Sequence, residues 1–184
     1  MSVRRVRLVL LCEDSQQEAF TRRFLEKMGW NTREIRVEKS PVAKGSAEQW
    51  VRNNFADELK FYRKRRAKAA SGLIAIIDAD SKEVQDRIDE FRETCDERQV
   101  PFRGDSEAVA FSIPKRNIET WIHYLNGSVV NETDTYKKLE REHLCKPAVE
   151  NLVKLCKTTG LPQGAPLSLS AACSEYNGRI RPLL

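Results

Sequence analysis

Leu73-Ile74-Ala75-Ile76-Ile77 is the stretch that most limits what this chain can become. Five uninterrupted apolar residues do not make one face of a surface helix, and the run is too short for a buried one. It reads as a strand covered on both faces, the kind that parallel sheets contain. The run stops abruptly at Asp78-Ala79-Asp80. Ligands of open α/β sheets bind outside the carboxyl ends of the strands, so two carboxylates at i, i+2 stand where a site would be. They repel each other, and burial penalises both charges. A divalent cation would relieve both penalties, and hard oxygen donors suit Mg2+ or Mn2+. The same pair also reads as a cap for the helix starting near Lys82, because Asp is a good N-cap. Taken alone, the triplet leaves both readings open.

The rest of the chain supplies the context. Val3–Cys12 is rich in branched apolar residues and reads as a first strand. Ser15–Gly29 repeats Phe20, Phe24 and Met28 at helical spacing, with Gly29 as its stop. Arg33–Lys39 alternates Ile35 and Val37 with charge, as a half-exposed strand does. Ser46 opens a long helix with Trp50, Val51, Phe55 and Leu59 on one face, and Ser71-Gly72 ends it. Val84, Ile88, Phe91 and Cys95 mark a helix to about Arg98, and Val109, Phe111 and Ile113 alternate in a strand over 107–113. Pro114 stops that strand, and a helix follows from about Asn117. Three more helices are expected, at about 134–143, 147–159 and 169–177. The order β-α-β-α-β-α-β predicts an α/β fold: a mainly parallel four-stranded sheet with helices on both faces. Residues 1–125 form that domain, and 126–184 form a helical extension packed on it. A chain of 184 residues is enough for one well-buried core.

Leu8–Cys12 and Leu73–Ile77, the longest apolar runs, fall far short of the ~20 residues of a membrane span. With no signal-peptide pattern near Met1, the expected location is the cytoplasm, with no membrane partner. The odd count of five cysteines and their wide spacing argue against a disulfide framework. His143, Cys145, Cys156 and Cys173 supply four possible zinc ligands, but no Cys-x-x-Cys pair supports that reading.

Three strands lead into acids on what should be one edge of the sheet. The first runs into Glu13-Asp14, the third into Asp78 and Asp80, and the fourth passes through Pro114 to Glu119. Asp14 and Glu18 are reserves. Each has a blander reading, as helix cap or first-turn acid complementing the dipole. Converging carboxylates without a catalytic serine or histidine motif point to metal-assisted chemistry with one or two ions, and phosphodiester hydrolysis is the natural match. His123, one turn after Glu119, is either a further ligand or a packing histidine.

The net charge of +5 is compatible with a polyanionic partner. Lys60–Lys68 carries six cations and no acid, which marks Arg63, Lys64, Arg65 and Arg66 as nucleic-acid contacts or as a solvated helix end. Lys44, in the loop after the second strand, and Arg116 are further candidate phosphate contacts. Lys115 is the candidate to steady a phosphate beside Glu119.

Cys12-Glu13-Asp14-Ser15-Gln16-Gln17-Glu18, then Asp78-x-Asp80, resembles the pattern of TOPRIM domains, which have a Rossmann-like fold. Ile113-Pro114-Lys115-Arg116-Asn117-Ile118-Glu119-Thr120-Trp121-Ile122 is similar to a helix of stand-alone TOPRIM-like proteins related to the OLD (overcoming lysogenization defect) nucleases. Many of those belong to bacterial anti-phage defence. The resemblance covers about residues 5–125. It implies a Mg2+- or Mn2+-dependent nuclease with Glu13, Asp78, Asp80 and Glu119 as metal-binding and catalytic residues, and Lys115 in a supporting role. It leaves open DNA or RNA as substrate. Asp14 stands where such domains usually have glycine, and no ATP-binding Gly-x-x-x-x-Gly-Lys-Ser/Thr segment occurs, so an ATPase partner would act in trans. The competing expectations are a non-catalytic subunit that binds nucleic acid or an ATPase, and, more remotely, a nucleotidyl transferase.

Overall fold

The computed structural model describes residues 5–41, 45–158 and 160–184. The start of the expected first strand at Val3 and the loop lysine Lys44 lie outside the described residues.

Four parallel strands form one sheet: β1 (Leu8–Cys12), β2 (Ile35–Lys39), β3 (Gly72–Ile76) and β4 (Val109–Ser112), in the order β2-β1-β3-β4. β1 and β3 are buried along their whole length, as their unbroken apolar runs require. The arrangement is Rossmann-like. The chain moves from β1 to β2 in one direction and then returns past β1 to β3. Right-handed crossovers therefore put α1 (Ser15–Met28) on one face and α2 (Ala47–Arg66) and α3 (Val84–Glu97) on the other.

The two faces have separate aromatic cores. Phe55, Phe91 and Phe111 pack under α2 and α3, with ring centroids 4.7–5.2 Å apart. Across the sheet, Phe20 meets Trp121 of α4 (Ile118–Leu125), and Phe24 meets Tyr176 at 4.9 Å. α5 (Lys146–Lys157) packs on α1 and α4, while α6 (Leu167–Glu175) lies against β4. The extension thus completes the α1 side of the core, which a sheet covered by α1 alone would leave wet.

Three expectations need correction. Residues 134–143 are not helical; only a 3-10 turn at Glu142–Cys145 precedes α5. Polar side chains there compete with the helix for backbone groups. Asn131 Oδ1 accepts from the N–H groups of Thr133 and Asp134 at 3.0 and 2.7 Å, and Glu132 accepts from Leu167 and Ser168 N–H at the start of α6. Residues 126–141 form a strap instead. Next, α2 stops at Arg66, well before Ser71-Gly72. Finally, Cys156 and Cys173 are joined as a disulfide linking α5 to α6, which removes two of the four supposed zinc ligands. Among the described residues no helix is long and apolar enough to cross a membrane.

Candidate active site

The order β2-β1-β3-β4 reverses direction between β1 and β3, and a crevice opens outside the carboxyl ends of two such strands. Glu13 follows β1 and Asp78 follows β3, so the topology sets these two acids side by side. The Asp78 N–H donates to Glu13 Oε1 at 2.6 Å. Glu13, Asp14, Asp78, Asp80 and Glu119 all line one cleft of about 650 Å³, together with Glu48, Arg116 and Lys138.

Glu13 is held from its own helix. Gln17 Nε2 donates to Glu13 Oε1 at 3.1 Å, and the Glu13 N–H donates to Gln17 Oε1 at 2.9 Å. Gln17 is completely buried. Asp14 is the N-cap of α1 and accepts the Gln17 N–H at 2.9 Å. Asp14 therefore has a local structural role, while its side chain also lines the cleft.

Asp78 is the most exceptional group. Its Oδ1 is buried without a hydrogen-bond partner. Burial pushes its carboxyl well above the ordinary aspartate range, and the charges of Glu13, Glu119 and Asp14 push the same way, against the smaller relief from Gln17. Burial likewise raises Glu13, against the relief from the Asp78 N–H and Gln17. Glu119, in the first turn of α4, is raised by burial, with Lys138 pulling it back and Asp14 opposing. All three carboxyls are destabilised as anions by burial, and Asp78 also by the other two, and carboxylate oxygens are the hard donors that a divalent cation takes.

Asp80 is placed differently. The strand lacing continues past β3: Ala79 N–H donates to Pro114 O at 2.8 Å and Asp80 N–H to Arg116 O at 3.0 Å. Both Asp80 and Arg116 sit in the left-handed region, with φ of 55° and 73°. Strained non-glycine backbone of this kind concentrates at functional sites. The Asp80 carboxylate turns to the nearly buried Arg87, which bridges it at 3.0 Å to Glu90 at 2.9 Å. One oxygen of Asp80 is thus engaged, while the residue stays exposed at the cleft. Among the described residues no group of three or more His, Cys, Asp or Glu side chains is already gathered closely enough to hold a metal ion. The cap reading of Asp78-x-Asp80 also fails, because the N-cap of α3 is Glu83, whose N–H donates to Asp86 Oδ2 at 3.0 Å.

The basic candidates divide. Arg116 lines the cleft, its guanidinium donating to Thr135 Oγ1 of the strap at 3.0 and 3.1 Å. Lys115 does not line it. Its Nζ is bound to both oxygens of Glu83 at 2.7 Å, because the left-handed turn at Arg116 sends the two neighbours apart. Lys115→Ala should therefore leave the melting temperature unmoved, as an exposed ion pair warrants; a thermal melt checks this. Arg63, Arg65 and Arg66 are remote from the carboxylates. They lie at the C-terminal end of α2, whose N-terminal residue Ala47 lines the cleft, and 20 helical residues span about 30 Å. Arg63 and Arg66 both bind Glu107, and Arg65 binds Glu58. Lys64 shares that remote end. His123 donates to Lys137 O at 3.0 Å and so anchors the strap.

Gln17, Lys138 and Thr135 were not anticipated as site residues. Gln17 had one signal, its i+4 spacing from Glu13 across the start of a helix. Lys138 and Thr135 had none, since their strap reads as a helix. The Cys12 thiol beside Glu13 is no alternative nucleophile: burial, then the charges of Glu18 and Asp14, push it up to about 12. Comparison with known proteins adds no relative, since no protein-family model, no curated protein and no solved structure matches this chain.

Proposed function

We propose that this chain hydrolyses phosphodiester bonds of nucleic acid with the help of Mg2+ or Mn2+. The observation that carries the reading is Asp78: a half-buried aspartate with one buried, unpartnered oxygen, beside Glu13 and Glu119, at the crossover point of a parallel sheet. Asp78, Glu13 and Glu119 are the residues that would hold the cation, and Asp80 would join them by giving up Arg87. When bound, such a cation offsets charge building on the phosphate and lowers the pKa of a bound water. Arg116 and Lys138 set positive charge on the same wall, where it opposes the phosphate anion. Gln17 fixes the rotamer of Glu13 through two hydrogen bonds, which would hold the carboxylate where it can take the cation. A role in bacterial anti-phage defence, and an ATPase acting in trans, rest on the TOPRIM resemblance alone.

A second reading, a TOPRIM-like subunit that binds without cutting, is favoured by one observation: Asp80 is engaged by Arg87 and Asp14 by the α1 cap. Plasmid DNA and total transfer RNA incubated with magnesium, manganese or chelator separate the two. The expected result is metal-dependent cutting of one substrate class, lost in Asp78→Ala. No cutting of either by the folded protein, with a partner co-purifying, would favour the subunit.

A further inference from the structure

The far end of α2 holds a feature that the cleft chemistry does not use. Lys60, Phe61 and Lys64 lie at i, i+1 and i+4 on one face of α2, Lys68 follows just past the helix end at Arg66, and all four are exposed. Phe61 is 51% exposed, and Lys64 Nζ stands over its ring at 5.8 Å. Just below, Arg63 and Arg66 both clamp the buried Glu107, at 2.8 and 3.1 Å, so two cations face one carboxylate. A shallow hollow of about 690 Å³ joins Lys60, Lys64 and Arg66 to Phe102 and Gly104. The neighbouring acid Asp57 is drawn off by Arg98 at 3.1 Å. The surface is thus a cationic stripe with a half-exposed aromatic ring set into it.

We infer that this stripe is a second anchor for the phosphodiester backbone of a single-stranded nucleic acid, on the opposite edge of the sheet from the cleft. The cations track the backbone, and Phe61 offers a platform on which an unpaired base stacks. A duplex has no free base face to give that ring, and an acidic peptide has no use for it. The inference rests on the proposed nuclease reading in one respect: the anchored strand is taken to be the one that enters the cleft. About 30 Å of α2 separates the two sites, which a stacked strand covers in roughly nine nucleotides at ~3.4 Å each. Substrates shorter than that reach only one site.

The test is fluorescence anisotropy on the full chain carrying Asp78→Asn, with and without Lys60→Glu/Lys64→Glu, and separately with Phe61→Ala. The probes are labelled 20-nucleotide and 6-nucleotide strands, as DNA and as RNA of one sequence, over a range of salt. All three positions are exposed, and circular dichroism confirms that the variants fold. The charge reversal is expected to weaken 20-nucleotide binding by about tenfold or more, and to flatten the salt slope by about 1.4, two phosphates' worth. Phe61→Ala should weaken it by about fivefold or more through lost stacking. Preference for DNA or RNA then names the natural strand. Unchanged affinity and slope in both variants would overturn the anchor, as would tighter binding of polyglutamate than of the 20-nucleotide strand, which would mark an acidic protein partner. The two proposals fail separately. Loss of binding in the charge variant, with no cutting by the wild type, keeps the anchor and removes the nuclease. Cutting with unaltered 20-nucleotide binding does the reverse.

Discussion

Asp78→Asn should give a protein that melts higher than the wild type in chelator at pH 7.5 and loses most of its cutting of nucleic acid. Asp78 Oδ1 is buried and unpartnered, and its carboxyl is pushed up by burial and then by Glu13, Glu119 and Asp14. An amide of the same shape carries no charge and can donate to its acidic neighbours. Relieving an unpartnered buried charge in this way is worth about 1–3 kcal/mol, and each kcal/mol moves the melting temperature of a domain this size by ~2–4 °C. The effect has a definite pH dependence. In the unfolded chain Asp78 loses its proton near the usual ~3.9; in the folded chain it holds it to higher pH. Between those two values the folded state binds more protons, so wild-type stability falls as pH rises through the window. The advantage of Asp78→Asn should therefore grow from about pH 4 upward and vanish below it. Cleavage should drop by about 10²–10³-fold or more, the usual cost of removing a preorganised electrostatic group. Melting curves against pH, beside a cleavage assay, check both halves; a variant less stable than wild type at pH 7.5 would contradict the account of Asp78.

Gln17→Leu should both destabilise the protein and slow it. Leucine fills the volume but makes neither of the paired bonds to Glu13 at 2.9 and 3.1 Å. The Glu13 N–H then lacks its partner, at a cost of about 1–3 kcal/mol. Glu13 keeps only the Asp78 N–H and is free to leave the cleft. Loss of such a supporting bond commonly lowers activity or metal affinity by ~10–100-fold. Its neighbour Gln16, bound to Glu142 O at 3.3 Å on the surface, is the control, and Gln16→Ala should change little. Urea unfolding and cleavage rates on the two variants separate the alternatives. Equal effects at 16 and 17 would mean that α1 matters here only as a helix.

The strands were legible because they are buried. Leu8–Cys12 and Gly72–Ile76 have no polar face, so only a strand inside a parallel sheet accepts them. Which acids meet was legible as far as the strand ends went, and Glu13, Asp78 and Glu119 line one cleft. The direction of single side chains was not. Asp80 and Lys115 stand at the right places along the chain, yet the left-handed turns at Asp80 and Arg116 give one to Arg87 and the other to Glu83. A turn of that hand without glycine leaves only a weak mark in a sequence, the modest preference of Asp for it, and none at Arg116. The basic run at 60–68 was visible as charge, but not that Glu107 and Glu58, distant in sequence, would engage Arg63, Arg65 and Arg66. The strap over 126–141 and the Cys156–Cys173 bond depend on tertiary placement, which no local pattern encodes.

The central claim is that Asp78, Glu13 and Glu119 hold a divalent cation. Calorimetric titration of Mn2+ into the metal-free protein at pH 7.5, with Asp78→Asn alongside, tests it most directly. Saturable binding of one or two ions by the wild type, absent from the folded variant, is the result the account requires. No saturable binding by the wild type at millimolar Mn2+, or equal binding by both proteins, would contradict it.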